Sequence, residues 1–246
     1  MTKAPATEGW RGTTLVLAVH GIQGGPGCAV AHAADLRRRG LFRSVLFGCH
    51  KGAPDLVDVV RGAAPGPVLV APLLMAEAYT LRAMTRRLDD GAGRPFRIAP
   101  VLGTHPRFAG LIVREGLAGC AARGWRPGGT ALLLVGHGTR RDPNSGATAR
   151  RHAESVRASG RFAEVAVGFL DEAPAVPDAL AGLQADRCVA VGLFLDRGEH
   201  GEEDVPALLE AGAKAAVYSG PIGIDPLVPD LVLDLLGTPG AVTVAA

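Results

Sequence analysis

The stretch ALLLVGHGTRRDP, residues 131–143, decides the fold, because residues 14–26, TLVLAVHGIQGGP, repeat its pattern. The two align with His20 on His137, an offset of 117 residues. Two further pairs follow in the same order. VLVAPLLMAEAYT (68–80) matches CVAVGLFLDRGEH (188–200), and IAPVLGTHPRFAGLIV (98–113) matches YSGPIGIDPLVPDLVL (218–233), each at an offset of 120. Three ordered matches at nearly constant spacing mark an internal duplication.

Each copy has the same texture. Short apolar runs rich in β-formers (LVLAV, SVLFG, VLVAPLL; then LLLVG, VAVGF, VAVGLF) alternate with amphipathic stretches of helical length such as 29–39 and 146–158. Continuous apolar strands separated by helices indicate parallel sheets covered on both faces. The sequence therefore predicts two doubly wound α/β lobes related by a pseudo-twofold axis. The Gly- and Pro-bearing stretch RGWRPGG (123–129) reads as the linker, giving lobes 1–124 and 125–246. Ligands of such sheets bind beyond the carboxyl ends of the strands, so a cleft between the lobes is the expected place for one.

Composition narrows the function. Of the 246 residues 48% are hydrophobic and 20% charged, an ordinary globular balance. No apolar run reaches the roughly 18 residues that would span a bilayer. The opening MTKAPATEGWRG has no apolar leader core, so a cytoplasmic protein that avoids membranes is expected. A net charge of +2 gives no ground for nucleic-acid binding. Arginine outnumbers lysine 23 to 3, so an anion site has to be argued from the position of an arginine and not from abundance. Cys28, Cys49, Cys120 and Cys188 lack C-x-x-C spacing and read as small reduced thiols. G-x-S-x-G, the phosphate-binding G-x-x-x-x-G-K and a strand-linked G-x-G-x-x-G are all missing, which disfavours hydrolase and nucleotide-binding readings.

The residues that could carry chemistry cluster at strand ends. His137 follows a buried strand between Gly136 and Gly138, which let the backbone turn and keep the imidazole approachable. An isolated histidine there would ordinarily be a packing or capping residue. However, LFLDRGEHGEEDVP places His200 after another apolar strand, between Gly198 and Gly201. A third strand, VAVGFLDEAP, ends in Asp171 and Glu172. Parallel strands end on one side of a sheet, so two imidazoles and a carboxylate can meet there. That donor set suits a borderline divalent ion, and three ligands with open positions suit an ion in transit. Arg140 and Arg141, in a loop leading into a helix, are placed for carboxylates; Arg197 is a weaker candidate. The run Glu199, Glu202, Glu203, Asp204 reads mainly as charge favouring a helix start.

These same segments carry a family resemblance. VGHGTRRDP, FLDEAPAVPDAL, LFLDRGEHGEEDVP and GPIGIDPLV, in that order, resemble the CbiX/SirB family of sirohydrochlorin chelatases. The resemblance runs nearly the whole chain, twice over, and is strongest from 131 to 236. It implies insertion of a divalent metal (Co2+, Fe2+ or Ni2+) into an anionic tetrapyrrole, with the metal as substrate and no tightly bound cofactor. It makes His137 and His200 the metal- and proton-handling histidines, with Asp171 or Glu172 at the acidic position. Thr139, Arg140, Arg141 and His20 become candidates for substrate binding. The first copy keeps His20 but has Thr80 in place of the second histidine, and FGCHKGAP offers Cys49 and His50 in place of the acid. The C-terminal lobe is therefore expected to be the active one. His105 faces Asp225 across the repeat, so no shared ligand role is expected there. Both lobes in one chain suggest a monomer, and a tetrapyrrole or metal carrier that has lost turnover is the rival reading.

Overall fold

A computed structural model describes residues 10–21, 23, 25–140, 142, 144–237 and, for the backbone alone, 243–244. The first repeat forms β1 (Thr14–Val19), α1 (Ala29–Arg38), β2 (Ser44–Cys49), α2 (Leu56–Arg61), β3 (Val68–Pro72), α3 (Tyr79–Gly91) and β4 (Arg97–Ile98), followed by α4 (Phe108–Ala122). The second repeat forms β5 (Ala131–Gly136), α5 (Asn144–Ala158), β6 (Glu164–Phe169), α6 (Val176–Ala181), β7 (Arg187–Gly192), α7 (Val205–Glu210), β8 (Ala215–Pro221) and α8 (Val228–Gly237). A short β9 (Thr243–Val244) follows. Strands run in the order β2-β1-β3-β4-β9 in one sheet and β6-β5-β7-β8 in the other. All pairings are parallel except β9 on β4. The α/β architecture with two parallel sheets is as the repeat implied.

Strands β1 and β5 are buried along their whole length, as central strands covered by helices on both faces must be. The two copies share their backbone locks. Leu73 N–H donates to Ala18 O at 2.8 Å and Leu193 N–H to Val135 O at 2.7 Å. Cys49 N–H donates to Pro54 O at 2.8 Å and Phe169 N–H to Pro174 O at 2.9 Å. Positions in one copy can therefore be matched to the other residue by residue. Cys49, Cys120 and Cys188 are buried and unbridged, while Cys28 is only half-buried. Burial pushes the Cys188 thiol up to about 12, which keeps it protonated and inert.

The expected boundary at 124/125 is not where the chain divides. One compact unit comprises Met1–His105 with Asp225–Ala246, the other Pro106–Ile224. The closing helix of each repeat packs within the unit built mainly from the other. α4 packs on α5, β7 and β8, burying Phe108, Leu111, Ile112, Gly116 and Cys120. Glycine makes this approach possible: a Cβ on Gly116 would stand 2.6 Å from Leu132, and one on Gly119 would stand 2.6 Å from Val189. α8 packs on α1 and on the turn at Leu102–Thr104, with an Asp230–Arg39 ion pair at its first turn. An amphipathic stripe declares that a helix will be buried but not which sheet will bury it.

The copies differ at the start of α2. Asp55 accepts from Val57 N at 2.9 Å and Asp58 N at 3.3 Å and pairs with Arg87 at 2.7 Å, whereas α6 starts at Ala175 with no side-chain cap. Burial alone would raise the Asp55 carboxyl, but the Arg87 guanidinium and the two amides outweigh it and hold it below its ordinary value. A carboxylate so depressed contributes stability above its unfolded value, near 3.9, and loses it as pH falls through the folded one. Asp55→Ala is therefore expected to lower the unfolding free energy by about 1 kcal/mol at pH 7. Urea titrations should show the gap from wild type closing below about pH 4.

Candidate active site

The site is built in the unit Pro106–Ile224, at the carboxyl edge of its sheet. β5 delivers His137, and Asp171 N–H donates to the His137 carbonyl at 2.8 Å, tying the end of β5 to the residues after β6. Gly138 closes the turn with φ +68, a conformation that favours glycine. A Cβ there would also lie 2.6 Å from that of Glu172. The segment after β7 leads to His200, which opens a π-helical turn, His200–Asp204, ahead of α7. Such wide turns recur at functional sites because they re-aim side chains at a helix end.

The two imidazoles meet. Their ring centroids are 4.8 Å apart and their planes are nearly perpendicular. Each ring is held by Nδ1. That of His137 donates to Gly138 O at 2.7 Å, and that of His200 to the Asp204 carboxylate at 2.6 Å. With the Nδ1 proton so engaged, the neutral form of either ring has its lone pair on Nε2, the form in which imidazole binds a metal or takes a proton.

The geometry separates the two candidate acids. Asp171 has its side chain 65% exposed, with Oδ2 3.6 Å from His137 Nδ1. Glu172 is only 16% exposed and pairs with Arg150 at 2.7 Å. It also accepts from Thr139 N–H at 3.3 Å, and Arg150 lies over the Phe169 ring. The oxygens of Glu172, the other expected catalytic carboxylate, pin the turn after His137 to α5. Asp171 is the carboxylate beside the imidazoles.

The expected three-donor metal site is corrected. Among the described residues, no three His, Cys, Asp or Glu side chains are grouped to hold an ion. The reason is local. Asp171 stands on the Nδ1 side of His137, while the lone pair sits on Nε2. An ion here would meet two imidazoles and open positions.

A cavity of 440 Å³ beside His137 is lined by Thr139, Arg140, Asp171, Glu172 and Asp178, among others. Thr139 and Arg140, candidates for substrate binding, line this cavity, and Arg141 lies outside the described residues. Asp142 accepts from Asn144 N–H at 3.1 Å, so the start of α5 already has a carboxylate on it. Arg197 pairs with Glu202 at 3.4 Å. His20 belongs to the other unit, where its ring lies 6.0 Å from that of His50. His105 is buried, 3.8 Å from Asp234, and Asp225 accepts from Leu227 N–H, both within that same unit. Sequence reasoning missed Asp204, treated there only as helix-start charge. The signal was the four-residue spacing His200–Asp204, which places the pair on one helical face.

The CbiX family model matches residues 131–238. A probable sirohydrochlorin cobaltochelatase of Halobacterium salinarum is 30% identical over 268 residues, covering 92% of this chain and 91% of its own. The chain belongs to the CbiX-type chelatase family. A sirohydrochlorin cobaltochelatase of Methanopyrus kandleri is also 30% identical, over 42% of this chain but 92% of its own, so that relative has the length of a single repeat. Among solved structures, a multi-domain Deinococcus radiodurans protein with structural similarity to chelatases superposes with a TM-score of 0.77 at 25% identity over 95% of this chain. This chain spans 57% of that protein's length. CbiX, the terminal enzyme of siroheme biosynthesis in denitrifying bacteria, superposes with a TM-score of 0.71 at 26% identity, covering 91% of this chain and 97% of that one. No described helix of this family member is long and apolar enough to cross a membrane.

Asp204 acts through His200, fixing its tautomer and ring orientation. Outer partners of this kind typically contribute 10- to 100-fold in metal affinity. Asp204→Ala is expected to weaken Co2+ binding by about that factor, read by visible absorption of bound cobalt, with an unchanged circular dichroism spectrum. Equal affinity in variant and wild type would remove Asp204 from the site.

Proposed function

We propose that this chain inserts a divalent metal ion into sirohydrochlorin or a closely related tetrapyrrole. It would act as a cobaltochelatase or ferrochelatase in cobalamin or siroheme biosynthesis, with Co2+, Fe2+ or Ni2+ as the ion. The observation that carries the reading is the His137–His200 pair at 4.8 Å, each ring anchored through Nδ1. Family membership supports it. On this reading the protein works as a cytoplasmic monomer, with a tetrapyrrole as its partner and no tightly bound cofactor.

Metal insertion has three demands: water must leave the ion, the macrocycle must bend, and two pyrrole protons must go. Two neutral imidazole nitrogens bind a borderline ion firmly enough to replace water and loosely enough to release it. Asp171, exposed and next to His137, is disposed to accept a pyrrole proton and pass it to solvent. Thr139 and Arg140, in the 440 Å³ cavity, are disposed to take peripheral carboxylates, and a guanidinium presents the fork such groups prefer. Arg141 and His20 are further candidates for that role. A carrier would need to grip its cargo, so an open two-imidazole site favours turnover.

The test is anaerobic incubation of the protein with sirohydrochlorin and each metal in turn, following the absorption change on insertion. Protein-dependent insertion is expected with at least one ion. His200→Ala should lower kcat by about a hundredfold or more, the usual weight of a positioned acid–base group. Thr80→Ala should leave the rate within about twofold, since a threonine hydroxyl is a poor ligand for these ions. Binding of the tetrapyrrole without insertion of any metal would replace the chelatase reading with that of a carrier.

A further inference from the structure

The duplication gives the unit containing residues 10–105 a strand-end turn built like the active one, with different chemistry. Lys51 N–H donates to His20 O at 2.8 Å, the same bond that Asp171 N–H makes to His137 O. By this register Lys51, and not His50 or Cys49, stands at the acidic position. The exposed carboxylate has become an exposed ammonium. Thr80 occupies the position of His200, and that of Asp204 is taken by Met84, buried in the apolar core. Every feature that suits a cation in the second unit is missing from the first, except His20.

What replaces them points the other way. His50 is 92% buried, and its Nδ1 has no hydrogen-bond partner. A buried polar atom left unpaired is costly and calls for an explanation. The His50 ring lies 6.0 Å from that of His20. Arg87 donates to the His50 carbonyl and pairs with Asp55, the one acid among the charged groups around His50, which also caps α2. Burial first, then Arg87, His20 and Lys51, push the His50 imidazole below its ordinary value, so it is held neutral with an N–H to donate. Cys49 is no soft-metal ligand either: its thiol donates to Ala53 O, and burial and Asp55 push it up. A dication placed here would meet Lys51 and Arg87, whereas a carboxylate would be attracted by both.

We infer that His20, His50 and Lys51 form a carboxylate-binding subsite in the first unit, one that takes a peripheral carboxylate of an anionic polycarboxylate ligand. Given the chelatase reading, on which this identity of the ligand rests, that ligand is the tetrapyrrole substrate. The duplicated turn has thereby divided its labour. The second copy keeps the donors for the ion, and the first has exchanged its acid for an ammonium that suits a carboxylate.

The experiment uses the full ¹⁵N-labelled chain and follows histidine ring signals, assigned with His20→Gln and His50→Gln. 1,2,3,4-Butanetetracarboxylate is titrated first as a metal-free probe. Saturable shifts of the His20 and His50 signals are expected, with affinity at least tenfold weaker in Lys51→Glu and retained in Lys51→Arg. Added Co2+ should broaden His137 and His200 before His20 and His50. Absent shifts, shifts indifferent to charge reversal at Lys51, or Co2+ broadening His20 and His50 first would overturn the subsite. Metal-free sirohydrochlorin is titrated second, and the same dependence on Lys51 is expected. Should the tetracarboxylate bind as described but sirohydrochlorin not at all, the anion subsite stands and the chelatase reading falls.

Discussion

The hydrogen bond from Asp171 N–H to the His137 carbonyl is the constraint on which the unit Pro106–Ile224 depends. It joins the ends of two adjacent parallel strands beyond their last ladder pair, Gly136 with Phe169. The chain can make it only if it then turns away at once, which Gly138 does at positive φ against the Cβ atoms of Glu172 and Phe169. Glu172 holds this turn a second time through Thr139 N–H and Arg150. The His137 ring therefore has little freedom before any ligand arrives, and preorganisation of that kind keeps a site from spending binding energy on its own ordering. In the other unit Gly21, at φ +104, serves the same turn beneath Lys51. The scaffold was conserved between the copies while its side chains diverged.

That divergence follows from what each position can do without disturbing the fold. Positions 51 and 171 are exposed, so exchanging carboxylate for ammonium costs the core nothing. Position 84 is different. Met84 fills apolar space among Leu56, Val57 and Leu88, where an unpaired carboxylate would be expensive. In the second unit the turn His200–Asp204 widens into a π-helical form, and Asp204 pairs with His200 instead of entering a core. The loss of histidine at position 80 and of acid at position 84 thus belong together: without an imidazole to anchor, a carboxylate there has no role to offset its burial.

Much of this was legible in the sequence, because duplication supplies an internal control. The strands, their parallel order and the meeting of His137 with His200 all follow from apolar runs and matched strand ends. The division of the chain did not. Gly116 and Gly119 look like weak points in an amphipathic helix, and only the sheet packed against α4 explains them. Choosing between Asp171 and Glu172 also needed coordinates, since adjacent carboxylates differ only in what lies around them, and Arg150 is more than twenty residues away in sequence. The role of Asp204 was hidden for another reason. A run of acids before a helix is ordinary dipole chemistry, and the member that bonds His200 is distinguished by its spacing from that residue.

The openness of the His137–His200 pair bears on how such a site can work at all. A closed tetrahedral set would bind its ion too well to give it up, as structural zinc sites do. Here the acid nearest the imidazoles stands on the Nδ1 side of His137, away from the lone pairs on Nε2. On the proposed reading, an ion held through those nitrogens would keep vacant positions for incoming pyrrole nitrogens, and Asp171 would keep its oxygens for protons. A third ligand would tighten the ion and remove the base in one step. On that reading the arrangement separates two demands of the proposed reaction, weak ligation and proton removal, between groups on opposite sides of one ring.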